Sequence, residues 1–274
     1  MRIGSKRKSK LQIFSLMNLE LRIFPSSAVL SRAAAEAFTQ IAQKAIAEKG
    51  YFIVALAGGN TPRAIYQLLA VDYRKQIEWS RLHFFWGDER YVPSHDPGSN
   101  YRMAREALLD HIPVLPANIH RMPTELMQPE AAAQDYEKTL RDFWPDSLPH
   151  FDLIQLGLGP DGHILSLFPN SSLLREENRL VAVVTDSPKP PPTRLTLTLP
   201  VINHAAQIHF FVTGAEKAEA LRATLEGERD WQKFPAQAVK PIAGKVIWWV
   251  DKEAAERLQK ILMRFSTTFL NWHF

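Results

Sequence analysis

Phe151-Asp152-Leu153-Ile154-Gln155-Leu156-Gly157-Leu158-Gly159-Pro160-Asp161-Gly162-His163 is the stretch whose reading decides the fold. A short, mostly apolar run of strand length gives way at Gly157 to clustered glycines and a proline, which end regular structure. The run reads as a buried strand and the turn after it as a ligand loop. Gly157, Gly159 and Gly162, with Asp186 closing the next apolar run, are spaced like a dinucleotide fingerprint. Two features oppose that reading. Asp161 would set a carboxylate beside a pyrophosphate, and the helix that should follow is cut short by Pro169.

The same texture recurs on both sides. Strand-like runs at 19–24, 51–57, 82–86, 151–156, 180–185, 207–213 and 246–250 alternate with helical periodicity at 27–49, 63–70, 101–109, 129–141, 215–225 and 252–263. Alternation of this kind builds parallel βαβ units, and strands apolar throughout belong to a sheet covered on both faces. The expected fold class is α/β, a Rossmann-like three-layer α/β/α arrangement around a mostly parallel sheet. Residues 1–16 read as a basic leader without fixed structure, 17–264 as one catalytic domain, and 265–274 as an apolar tail of no clear period. The proline-rich segment 187–193 reads as a loop that carries Arg194 into place.

With 46% hydrophobic and 23% charged residues over 274 positions, the chain has the composition of a globular domain. No run approaches the roughly 20 apolar residues of a membrane span. The net charge is +4, and Arg2, Lys6, Arg7, Lys8 and Lys10 account for much of it. The body carries no basic stripe interleaved with aromatics, so nucleic acid is not an expected partner. No cysteine occurs, which removes disulfides and thiolate chemistry and suits a cytoplasmic protein. Signatures of zinc proteases, serine hydrolases and P-loop kinases are missing from the sequence.

In an open parallel sheet, ligands gather beyond the carboxyl ends of the strands. After 51–57 come Gly58, Gly59, Asn60 and Thr61 before Pro62; the glycines admit a ligand close to the backbone, and the helix start offers N–H groups to an anion. Asn60 or Thr61 is expected to cap that helix. After 82–86 come Asp88, Glu89 and Arg90, with Arg90 suited to clamp a phosphate and Asp88 to orient a neighbour. Capping accounts for Ser99-Asn100. After 151–156, His163 is the candidate base beside Asp161, since imidazole titrates near neutral pH. After 207–213, Lys217 in a first helical turn opposes the helix dipole, which a bound anion would explain.

Taken in order, the blocks 57–62, 86–90 with 92–93 and 99–100, 156–169, 194–197, 213–218 and 235–251 resemble the 6-phosphogluconolactonase family. That resemblance implies the deaminase/ribose-5-phosphate isomerase-like fold, hydrolysis of a sugar-phosphate lactone with neither metal nor organic cofactor, and a monomer or weak oligomer. It implies His163 as general base aided by Asp161, with Gly58, Gly59, Asn60, Thr61, Asp88, Arg90, Arg194 and Lys217 holding the phosphorylated sugar. The sequence departs from the family at Ala57, Asn60, Leu165 and Asn170. A sister family, the glucosamine-6-phosphate deaminases, shares the glycine loop and the Asp-Gly-His turn. It carries a glutamate in the run after the histidine, where this chain has Ser166-Leu167-Phe168-Pro169. A sugar-phosphate-binding regulator without turnover is the third alternative.

Overall fold

β3 (Phe52–Leu56) and β7 (Leu153–Gly157) lie side by side in the middle of an eight-stranded sheet, and the chain arranges itself around them. The computed structural model describes residues 11–16 and 19–259. β1 (Gln12–Leu16) and β2 (Leu19–Phe24) form an antiparallel edge pair. α1 (Ser27–Lys49) leads to β3, and α2 (Asn60–Val71) leads to β4 (Leu82–Trp86). β5 (Asp88–Arg90), α3 (Asn100–Ala107), β6 (Ile119–His120) and α4 (Pro129–Phe143) precede β7. β8 (Val181–Val184), β9 (Arg194–Leu197), α5 (Leu199–Asn203), β10 (Gln207–Val212), α6 (Ala218–Glu226) and β11 (Lys245–Asp251) complete the order.

The large sheet runs β1-β2-β11-β10-β7-β3-β4-β6, with every pair parallel except the first. Every residue of β3 is buried, as expected of a strand covered on both faces. From β3 the chain builds outward through β4 and β6, then returns to the other side of β3 at β7 and continues through β10 and β11. The β3/β7 junction is therefore the point where the winding reverses, the place such folds keep for ligands. Four expected strand ends meet there.

Several expectations need correction. The run at 180–185 is a strand, but it belongs to a separate antiparallel sheet of order β5-β9-β8; an apolar run does not reveal which sheet it will join. Gln12–Leu16, assigned to a leader without structure, form β1, because their backbone can extend the sheet beyond β2. Residues 252–257 form turns rather than helix, with Asp251 accepting the Ala254 N–H at 2.9 Å. Residues 258–259 carry no regular structure, and residues 260–263 of that expected helix, the first ten residues and the tail 265–274 lie outside the described residues.

Candidate active site

Gly58 and Gly59 turn the chain from β3 into α2. Gly59 sits at φ 103 as the residue before the helix, with no side-chain cap; neither Asn60 nor Thr61 caps, since both are already helical. The first N–H groups of α2 have no intrahelical acceptor and face the mouth of the sheet. A β-carbon on Gly58 would stand 1.9 Å from Asn100 Oδ1, so glycine lets the buried Asn100 amide pack against the loop. Thr61 and Thr213 hydroxyls meet at 2.8 Å, tying the loop after β3 to the loop after β10.

β4 continues through Gly87 into β5, whose partner is β9. The antiparallel register sets Asp88 opposite Thr196 and Arg90 opposite Arg194, and directly opposed residues share one face of a ladder. Asp88 is buried and accepts from Ser166 Oγ at 2.7 Å and Asn100 Nδ2 at 3.2 Å. Glu89 is 2% exposed. It accepts from the N–H groups of Asn100 at 2.7 Å, Tyr101 at 2.8 Å and Arg90 at 2.8 Å, and from Ser99 Oγ at 3.0 Å. Burial pushes the Glu89 carboxyl up to about 6 despite these donors. Ser99 caps α3 as expected, accepting from Arg102 N at 3.1 Å.

The turn after β7 holds His163 and Asp161, the candidate acid–base pair. Gly159 N donates to His163 O and Gly162 N to Gly159 O, both at 2.9 Å, which folds the turn back on itself. His163 Nδ1 meets Asp161 Oδ1 at 2.5 Å, leaving Nε2 as the ring nitrogen free to exchange a proton. The His163 ring leans on Phe168, centroids 4.7 Å apart. Burial favours a neutral Asp161, but the hydrogen bond from His163 and the charges of His163 and Lys189 outweigh it and hold the carboxyl well below its usual range.

One cavity of about 510 Å³ joins these loops. Gly58, Gly59, Asn60, Thr61, Asp88, Arg90, His163, Arg194 and Lys217 all line it. Asp161 does not line it; it stands behind His163. Arg194 is only 4% exposed, and its guanidinium donates to the carbonyls of Pro191 at 3.2 Å, Lys189 at 3.0 Å and Pro190 at 3.3 Å. Arg90 donates to Gly98 O at 2.8 Å, while its buried Nε has no protein acceptor. Burial lowers the Lys217 pKa and nearby Lys189 adds to the effect, opposed by Glu216 and Asp161. The cavity also takes in Asn100, Leu165, Lys189 and Glu216, which the sequence reading did not place in a site. Leu165 adopts φ 47, a left-handed conformation rare for a branched side chain. Among the described residues no group of three or more His, Asp or Glu is disposed to hold a metal ion.

Cations, helix-end N–H groups and an acid-supported imidazole around one cleft at a reversal of strand order define the class. This is an α/β protein whose cleft suits a small anion, with an imidazole–carboxylate pair at its wall. A family model described as glucosamine-6-phosphate isomerases/6-phosphogluconolactonase matches residues 25–248, and the chain belongs to that family. It is 46% identical over 219 residues to the 6-phosphogluconolactonase of Synechocystis, covering 79% of this chain and 88% of that one. The structure of 6-phosphogluconolactonase from Trypanosoma brucei superposes with a TM-score of 0.77 at 31% identity, covering 87% of this chain and 98% of the other. A monomeric glucosamine-6-phosphate deaminase superposes with a TM-score of 0.73 at 25% identity, covering 87% and 99%. Among the described residues no helix is long and apolar enough to cross a membrane.

Proposed function

We propose that this chain hydrolyses 6-phospho-D-glucono-1,5-lactone to 6-phosphogluconate, in the cytoplasm, as a monomer or weak oligomer. The observation that carries the reading is the 2.5 Å contact between Asp161 and Nδ1 of His163, whose ring lines a cavity rich in cations. Asp161 fixes the tautomer, so Nε2 takes a proton from water as the water oxygen bonds to C1. The imidazolium then returns a proton to the ring oxygen as the C1–O5 bond breaks. A positioned base of this kind contributes roughly 10² to 10⁴ in rate. The helix-end N–H groups at Gly59, Asn60 and Thr61, with Arg90, receive the phosphate. Lys217 contributes charge from the facing loop, and Asp88 holds Ser166 and Asn100 in place beneath the site. Arg194 acts through the loop whose carbonyls it binds. No metal or organic cofactor is required for this step.

The deaminase reaction is the second reading, supported by the solved deaminase of the same fold and by Glu216 at the cavity wall. Against it, the run Ser166-Leu167-Phe168-Pro169 offers no carboxylate. Side-by-side assays of lactone hydrolysis and of ammonia release from glucosamine 6-phosphate decide between them. We expect the first to dominate and to fall at least a hundredfold in His163→Ala. Dominant ammonia release overturns the reading, and tight binding without either activity marks a regulator.

A further inference from the structure

We propose that Lys189 is the cation that meets the lactone carbonyl oxygen, a role that rests on the lactonase reading above. Lys189 Nζ lies 3.3 Å from His163 Nδ1 and 3.7 Å from Asp161 Oδ1, at the cavity wall. It therefore stands beside the His163–Asp161 pair, on the Nδ1 side of the ring, and lines the same cavity as His163.

Two of the other cations are committed to backbone carbonyls. Arg194 spends its donors on the carbonyls of residues 189–191. Arg90 is fixed to Gly98 O, and Lys217 projects from the loop after β10, next to Glu216. The Ser187 hydroxyl adds a second brace, donating to Lys189 O at 2.8 Å and accepting from Lys189 N at 3.2 Å. Both ends of the Lys189 backbone are thus fixed, which holds its ammonium close to the base without a helix or strand.

The chemistry balances around this arrangement. Water forms its bond to C1 while its proton passes to His163 Nε2, and the carbonyl π electrons move onto oxygen. Lys189 donates a hydrogen bond to that oxyanion. When the carbonyl re-forms, the electrons of the C1–O5 bond leave with O5, which takes the proton from His163. The acid product then loses a proton to solvent, and its carboxylate stays paired with Lys189 until release. A fixed donor aimed at developing negative charge is worth about 10² to 10³ in kcat.

The test compares Lys189→Met with the parent enzyme in two measurements. In turnover, kcat for the lactone should fall at least a hundredfold with KM changed less than about threefold. In calorimetric binding, affinity for 6-phosphogluconate should fall at least tenfold, while affinity for glucitol 6-phosphate, which lacks the carboxylate, should be unchanged. Equal losses for both ligands would move Lys189 to the phosphate end, and no loss for either would remove it from the site; both overturn the proposal. Lys189→Arg should recover part of kcat. The binding arm is independent of turnover, so a parent protein without lactonase activity defeats the reaction reading, whereas a parent with activity and an unaffected Met variant defeats only the role of Lys189.

Discussion

A β-carbon at Gly159 would stand 1.9 Å from His163 Nδ1 and 2.4 Å from Asp161 Oδ1. The acid–base pair therefore lies against a bare backbone, and Gly159→Ala should cut turnover by about 10²-fold, because small displacements of a reacting group cost that much. Circular dichroism should show the fold retained. Asp161→Asn tests the same pair from the other side. Without a carboxylate to hold Nδ1–H, the wrong tautomer is populated and kcat should drop more than KM changes, which steady-state kinetics will resolve. The placement of the glycines and His163 at the cavity was legible in the sequence because it is local: a turn before a helix calls for glycine, and residues just after a buried strand reach the mouth of the sheet. Lys189 was not, since nothing in a proline-rich run announces which side chain its folding will present to a distant histidine.

Glu89 shows the corresponding limit at the level of elements. In Asp88-Glu89-Arg90 the outer two charges read as a ligand clamp and its orienting group, and the middle one is a buried anchor that joins β5 to the start of α3. Removing its carboxylate would strand several buried N–H donors, at about 1–3 kcal/mol for each group left unsatisfied. Glu89→Ala should therefore lower stability by at least about 3 kcal/mol in urea titrations, with Glu89→Gln less affected. The main strands were readable because parallel strands covered on both faces are nearly continuous apolar runs. The second sheet was not, because β8 carries the same signal as its parallel counterparts. Its antiparallel partners are chosen by tertiary contacts, here with β9.

Across the whole molecule, buried imidazoles set the response to acid. His209 is 1% exposed, and burial, with the charges of Arg22 and Lys245, pulls it down to about 3. Burial and neighbouring His83 pull half-buried His120 down to about 4. Both fold as neutral groups, so their contribution is complete above the unfolded value near 6.5 and is lost as pH falls towards those folded values. Glu89, raised to about 6, works in the opposite direction between about 6 and 4.5. The histidines prevail, and stability should fall with acidification by roughly 1.4 kcal/mol per pH unit, the slope of about one net proton. Urea midpoints between pH 7 and 4.5 check this, and His209→Leu should flatten the slope.

The pairing of β5 with β9 has a final consequence for the protein in the cell. By setting Arg90 directly across from Arg194, near Lys189 and Lys217 at the same cleft, the ladder concentrates like charge whose mutual repulsion any dianion relieves. The pocket is thus also a stabiliser waiting for its ligand. A sugar phosphate present at about 100 times its Kd should add about 2.7 kcal/mol to unfolding, visible as a higher melting temperature. Metabolite supply would then govern how long the enzyme persists as well as how fast it works.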